Sequence, residues 1–259
     1  MSQTTLITGA SSGIGEAFAR ALAKPGDTLI LVARSKDKLD ALAATLRADH
    51  GVAVEVIAAD LSRAGCGPAL AAGVSQRGLG VDLLINNAGF GSAGAFAKEN
   101  PARDAEMIDL NVSAVVELAH AFLPPMLERR RGGILNVASV AGFQPTPNMA
   151  IYGATKAFVL SFSESLWAEV RGRGVNVTAL CPGPVDTPFF EATGNPELRK
   201  VVPKGMMMDA DQVARQALDA LAAGKPVVVP GLPNKLVTWA PRLLPRRWLT
   251  LASAAIMSR

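Results

Sequence analysis

The stretch Thr4-Thr5-Leu6-Ile7-Thr8-Gly9-Ala10-Ser11-Ser12-Gly13-Ile14-Gly15-Glu16-Ala17-Phe18-Ala19-Arg20-Ala21-Leu22-Ala23 decides the fold. Its first residues, Thr4–Thr8, are apolar or β-branched and read as a strand. Glycines follow at 9, 13 and 15, and then Ala17–Ala23 carries apolar residues at helical spacing. Strand, glycine turn and helix in that order are the first half of a βαβ unit. Glycine lets the backbone turn tightly and approach a pyrophosphate, and the helix N-terminus behind it offers unpaired N–H groups and the positive end of a dipole. Gly9, Ser11, Ser12, Gly13, Ile14 and Gly15 are therefore candidate phosphate-binding residues. The spacing is G-x-x-x-G-x-G rather than the G-x-G-x-x-G of the dinucleotide fingerprint, and a turn that only closes a strand–helix unit is the competing reading.

The same alternation continues outward. Further strands are expected at Thr28–Ala33, Ala53–Ala58, Leu83–Asn86, Ile134–Ala138, Asn176–Leu180 and Val227–Val229, with helical patterns clearest at Leu39–Leu46 and Phe158–Val170. Several strands are continuous apolar runs, as expected where helices cover both faces. The expected architecture is α/β: a Rossmann-type, doubly wound, mostly parallel seven-stranded sheet with helices on both faces. Residues 1–231 read as one catalytic domain that includes a Pro/Gly-rich substrate loop, 182–209, and residues 232–259 as a basic, proline-interrupted tail.

Composition narrows the function classes. Of 259 residues 49% are hydrophobic and 19% charged, which suits a large core and excludes a disordered chain. The net charge of +4 is unevenly spread. From Ala220 onward there are six bases (Lys225, Lys235, Arg242, Arg246, Arg247, Arg259) and no acid, so the first 219 residues carry −2. That distribution disfavours a nucleic-acid-binding face. Two cysteines, Cys66 and Cys181, make no disulfide framework. The N-terminus lacks a basic stretch leading into an apolar run, and no segment of about 20 apolar residues is evident. A cytoplasmic protein is the expectation, with membrane association through the tail as the exception. His50 and His120 have no partners at metal-ligand spacing, and no metal is expected.

Three further motifs carry chemistry. The second strand ends Val32-Ala33-Arg34-Ser35 with no acid to accept from a ribose 2′-hydroxyl, whereas Arg34 could pair with a 2′-phosphate. That favours NADP over NAD, against the reading of Arg34 as a solvated charge beside Lys36 and Lys38. Tyr152 and Lys156 stand at i and i+4 on one helix face, and Tyr152 is the only tyrosine. An ammonium beside a phenol favours the phenolate, so the pair could give or take a proton near neutral pH. Ser139 lies 13 residues earlier at the end of a strand, where its hydroxyl could hold a carbonyl oxygen. Asn87, Ala88 and Gly89 follow the fourth strand, where ligands of parallel sheets bind. Asn111, in Met107-Ile108-Asp109-Leu110-Asn111-Val112, could bind water, kink its helix or simply face solvent.

Together these elements resemble the short-chain dehydrogenase/reductase family, in its single-domain branch of about 250 residues. The resemblance rests on Thr8-Gly9…Gly13-Ile14-Gly15, Asp60, Asn86-Asn87-Ala88-Gly89, Asn111, Ser139, Tyr152…Lys156 and Pro182-Gly183-Pro184 with Thr187, and covers residues 4–229. It implies a catalytic tetrad of Asn111, Ser139, Tyr152 and Lys156. It places Asp60 and Leu61 beside the adenine, Asn87 along the cofactor, and Pro182, Gly183, Val185 and Thr187 beside the nicotinamide. It further implies that Lys156 holds the nicotinamide ribose, that Asn111 supports a relay water, and that the protein is a dimer or tetramer. The Tyr152–Lys156 gap is narrower than in the enoyl-reductase relatives, and the tail is unlike the short ending of ketoacyl-carrier-protein reductases.

The resulting expectation is an NADP(H)-dependent oxidoreductase acting on a hydrophobic carbonyl or secondary alcohol, with Gln144–Met149, Phe143 and Phe189–Met208, including Phe190 and Met206, shaping the substrate site. A regulatory protein that binds NADP without chemistry is the alternative. The tail, with Trp239, Leu243, Leu244 and Trp248 among its bases, could dock on an anionic membrane or another chain. The four prolines from Pro230 onward (230, 233, 241 and 245) favour a segment folded over the domain or a subunit contact.

Overall fold

The computed structural model describes residues 2–203, 205–243 and 245–257. Seven strands, β1 (Thr4–Thr8), β2 (Thr28–Ala33), β3 (Ala53–Ala58), β4 (Leu83–Asn86), β5 (Gly132–Val137), β6 (Val175–Leu180) and β7 (Val227–Val228), form one sheet in the order β3-β2-β1-β4-β5-β6-β7. Every adjacent pair is parallel, so the sheet is wholly rather than mostly parallel among the described residues. The helices are α1 (Gly13–Leu22), α2 (Lys36–His50), α3 (Cys66–Ser75), α4 (Pro101–Ile108), α5 (Ala114–Glu128), α6 (Ala150–Val170), α7 (Phe189–Ala192), α8 (Ala210–Ala222), α9 (Leu232–Leu243) and α10 (Arg246–Met257).

Side chains alternate across the sheet and feed two cores. Ile7, Leu29, Leu31, Leu83, Ile85 and Leu135 face the layer of α1, α2 and α8, where Phe18, Leu39, Leu46 and Val213 meet them. Leu6, Ile30, Leu84, Ile134 and Val177 face α3, α5 and α6, against Leu70, Leu118, Met126 and Leu166. Burying each such side chain contributes about 1.5–3 kcal/mol, and the two-sided burial explains why these strands read as unbroken apolar runs. Strand order reverses at β1, with β2 on one side and β4 on the other. Such a reversal is where open parallel sheets form a ligand crevice, beyond the carboxyl ends of the strands.

Three features depart from expectation. Strand β5 begins at Gly132, not Ile134. Glycine gives no strand signal, yet a Cβ at Gly132 would lie 2.6 Å from Met126 Cγ, so α5 packs directly on it. The 182–209 loop is structured: it contains α7 and a 3₁₀ turn, Pro196–Val201, and Val185 pairs with Met208 at its base. Third, Pro101–Glu128 is a continuous 28-residue helical run with a mean hydropathy of 1.3 in its most apolar window, long and apolar enough to cross a membrane where the sequence showed no such segment. Its apolar residues Ala114, Leu118, Phe122 and Met126 are spent on the core, as in a core helix that passes the same test.

The prolines of the tail act as expected and forbid one long helix. Pro245 separates α9 from α10, and Pro241 sits within the last turn of α9. Leu244 and Arg259, counted with the tail above, lie outside the described residues.

Candidate active site

The first turn of α1 forms the floor of the crevice. Gly9 and Gly13 have φ of 64° and 58°, in the left-handed region that favours glycine. A Cβ on Gly15 would stand 2.2 Å from the Gly9 carbonyl oxygen and 2.5 Å from Asn87 Nδ2, so only glycine lets the turn fold back on itself. Ser12 precedes α1 with extended backbone and makes no side-chain cap, which leaves the opening N–H groups of the helix without an internal acceptor. Ser11, Ser12, Gly13, Ile14 and Gly15 thus line one turn whose donors face outward.

The end of β4 is tied to this turn. Thr8 Oγ1 donates to the Ile85 carbonyl at 3.2 Å and accepts from the N–H groups of Asn87 and Ala88 at 2.9 and 3.0 Å. Asn87 Nδ2 donates to the carbonyls of Thr8 and Gly9 at 2.9 and 3.2 Å. Asn87 therefore braces the glycine turn with its own side chain. Gly89 lies beneath the catalytic candidates: a Cβ there would be 2.8 Å from Asn111 Oδ1 and 3.5 Å from Lys156 Nζ. Across the crevice, Thr187 reaches over Gly13, whose Cβ would meet Thr187 Cγ2 at 3.1 Å. The loop that carries Pro182, Gly183, Val185 and Thr187 closes on the start of α1, and the Pro182 carbonyl accepts from Val140 N–H at 3.0 Å.

At the adenosine end, Leu61 is buried, while Asp60 accepts from Ser62 Oγ at 2.7 Å and Ser62 N–H at 3.1 Å. Those hydrogen bonds, with Arg63 nearby, hold the Asp60 carboxyl below its usual range. A cavity of about 220 Å³ runs beside these two residues, lined by Ile57, Ala59 and one face of α3. Arg34 is exposed, and its Nη1 pairs with Glu106 Oε1 of α4 at 3.0 Å.

The four catalytic candidates converge from the turn after β5, from α6 and from the π-helical segment between α4 and α5. Tyr152, Lys156, Ser139 and Asn111 are all buried. Ser139 lies beside the Tyr152 hydroxyl and acts to lower its pKa, and the Ser139 Oγ accepts from Ala141 N–H at 3.1 Å as the cap of a 3₁₀ turn, Val140–Phe143. Lys156 Nζ lies 5.8 Å from the Tyr152 ring centre and donates to the Val137 carbonyl at 2.8 Å. Burial pushes Lys156 down to about 8 and Tyr152 up to about 12. This corrects the expectation that the ammonium lowers the phenol. Desolvation outweighs the lowering effect of Ser139, and the ammonium is turned to a backbone carbonyl.

Asn111 sits in a π-helical segment, Asp109–Ser113, between α4 and α5. Its Nδ2 donates to the Phe90 carbonyl at 2.9 Å and to Thr155 Oγ1 at 3.1 Å, and its Oδ1 accepts from Phe90 N–H at 3.1 Å. Of the readings open to Asn111 in the sequence, the helix irregularity is the one found and the solvent-facing one is not. The sequence missed the polar chain behind the site. Asn86 donates to Asn136 Oδ1 at 2.9 Å, Asn136 to Ser163 Oγ at 2.9 Å, and Ser163 to the Val159 carbonyl at 2.6 Å, joining β4, β5 and α6. Its one legible signal is polar residues at strand and helix positions that are otherwise apolar.

The side chains packed around Tyr152 are apolar. The Phe189 ring lies 5.4 Å from that of Tyr152, and Met107, Met149, Phe90 and Leu198 complete the group. Phe190 is buried edge-on to Phe189. Phe143 packs instead against the cluster that contains Ala138, Val159 and Cys181. Met206 contributes its carbonyl to Asn234 of α9. Cys181 is fully buried and its thiol is pushed well above the usual range by burial, which suits a packing residue and not a nucleophile.

Comparison with known proteins gives the family and the fold. The family model described as short chain dehydrogenase matches residues 3–197. A short-chain dehydrogenase from Sphingobium yanoikuyae, solved in complex with NADPH, superposes with a TM-score of 0.81 at 37% identity, covering 99% of this chain and 95% of that one. The bulky-bulky ketone specific alcohol dehydrogenase from Comamonas testosteroni gives 0.77 at 34% identity, covering 99% and 94%. Among curated sequences, serine 3-dehydrogenase from Rhizobium radiobacter is 36% identical over 219 residues, 83% of this chain and 86% of that protein.

Proposed function

The chain belongs to the short chain dehydrogenase family and is an oxidoreductase of alcohol and carbonyl groups, and on that premise we propose that it is an NADP(H)-dependent reductase of hydrophobic carbonyl compounds. The observation that carries the proposal is the convergence of the buried Tyr152, Ser139 and Lys156, with Lys156 Nζ 5.8 Å from the Tyr152 ring centre and Phe189 packed on that ring.

The residues present fit the dinucleotide. The glycine turn leaves outward N–H donors for phosphate, and Gly89 keeps the crevice clear below Asn111 and Lys156. Arg34 offers a cation where an NAD site has an acid. Its exposed pair with Glu106 contributes less than about 1 kcal/mol, so a 2′-phosphate dianion can take the guanidinium from it. Ser11, Ser12, Gly13, Ile14 and Gly15 would hold the pyrophosphate, and Asp60 and Leu61 the adenine side. Asn87, Ala88 and Gly89 would run along the middle. Pro182, Gly183, Val185, Thr187, Tyr152 and Lys156 would hold the nicotinamide end. When bound in reduced form, the nicotinamide supplies the hydride.

The protein's own part is position and proton supply. Ser139 and Tyr152 hold the carbonyl oxygen, and Tyr152 gives it a proton. A phenol pushed up to about 12 is fully protonated at neutral pH, so the reductive direction finds its acid ready. Lys156 then returns a proton towards the phenol. Because the Asn111 side-chain amide is occupied by Phe90 and Thr155, a water that it supports is held at its main-chain carbonyl. Met149, Phe189 and Leu198 favour apolar substituents on the substrate.

A panel of carbonyl substrates run with NADPH and with NADH tests the proposal. The expected result is turnover of bulky apolar ketones or aldehydes with preference for NADPH. Activity confined to small polar sugars or hydroxy amino acids, or equal kinetics with the two nucleotides, would contradict it.

A further inference from the structure

The C-terminal helices present the wrong face to water. On α9 the polar Asn234 and Thr238 are 0% and 6% exposed, whereas Leu232, Leu236 and Trp239 are 63–70% exposed. Those three stand at i, i+4 and i+7, a single stripe along the helix. On α10, Leu249 turns inward while Trp248 and Leu251 are 67% and 57% exposed. Eight large apolar side chains are exposed among the described residues; five of them lie on these two helices, and Phe96, Ile108 and Phe158 are scattered on other elements. The inversion is anchored. Asn234 Nδ2 donates to the carbonyls of Pro230 at 3.1 Å and Met206 at 3.4 Å, and the Asn234 side chain packs on Gly183, whose Cβ would fall 2.3 Å from Asn234 Oδ1. Rotating α9 to hide its leucines would break that seat. The setting is also basic: Lys235 on α9 and Arg246 and Arg247 on α10 are exposed, and no acid occurs from residue 220 to 259.

We propose that α9 and α10 form a docking surface for an anionic lipid bilayer, on which the protein lies peripherally. Each helix has 12 residues, about 18 Å in length, against the roughly 30 Å of a bilayer core, so neither can span it. Lying flat, Leu232, Leu236 and Leu251 enter the acyl boundary, Trp239 and Trp248 sit at the headgroups, and Lys235, Arg246 and Arg247 meet lipid phosphates. A second copy of the chain fits less well. A two-fold contact through this patch would bring two basic surfaces together, since neither α9 nor α10 carries an acid.

The test is co-sedimentation of the full-length protein with vesicles of phosphatidylcholine containing about 30% phosphatidylserine, and with phosphatidylcholine alone. Binding to the anionic vesicles only, weakened by added salt, is expected. The Trp239→Ser/Trp248→Ser variant should partition at least about tenfold less. Lys235→Glu with Arg247→Glu should lose about fivefold or more per charge while keeping the wild-type thermal midpoint, so a fold defect in the tryptophan variant would leave the charge variant to decide. No binding to anionic vesicles, equal binding to both, or variants that bind like wild type would overturn the proposal. So would a fall in oligomer mass in the tryptophan variant with vesicle binding intact, which would assign the patch to a second copy.

Discussion

Lys156 shows what burial costs the site. Its ammonium is held inside the protein with a pKa of about 8, against about 10.5 for a free lysine. The charged form is therefore penalised by folding. The penalty is complete below about pH 8, fades between about 8 and 10.5, and is absent above that range. Replacing Lys156 with Met removes the charge and also the hydrogen bond to Val137. The balance is on the order of 2 kcal/mol in favour of the variant. Lys156→Met should thus melt several degrees higher than wild type at pH 7 and lose turnover, with the gain in thermal midpoint gone by about pH 10.5. A lower midpoint at pH 7 would show that the ammonium is stabilised where it sits. Tyr152 has the opposite sign: raised to about 12, it subtracts stability as pH climbs from 10 towards 12.

At the scale of elements, the strand–turn–helix of β1 and α1 is the most constrained unit. Adding one methyl at Gly15 puts a carbon 2.2 Å from the Gly9 carbonyl oxygen. Gly15→Ala should cost about 1–3 kcal/mol through overpacking and spread the phosphate turn, weakening NADPH binding at least tenfold by fluorescence titration. Gly80→Ala, with nothing within 4 Å of its Cβ, serves as the silent control. If both bind alike, the turn is not the phosphate site. This unit was legible in the sequence because its signals are local, as were the strands buried on both faces. Other features depend on distant partners and were not legible. The π segment at Asn111 is fixed by Phe90, 21 residues away. The Asn86–Asn136–Ser163 chain joins three elements. The inverted face of α9 rests on Gly183 and Met206, and prolines alone told only where its helix must stop.

For the whole molecule, sheet order gathers residues from far apart to one edge: the α1 turn, the end of β4, Ser139 after β5, and the loop after β6. The spacing of Tyr152 and Lys156 announced the pair, but not that desolvation would drive the two pKa values apart. It also did not show that Arg34 would be held by Glu106, or that Phe143 would leave the substrate wall to Phe189. The central claim is that Tyr152 hands the proton to the substrate oxygen in an NADPH-dependent carbonyl reduction. The most direct measurement is single-turnover NADPH oxidation by Tyr152→Phe on a bulky ketone, beside the NADPH dissociation constant of the same variant. A rate lower by about 10²–10⁴-fold with an unchanged dissociation constant is predicted; a rate near that of wild type would contradict the account.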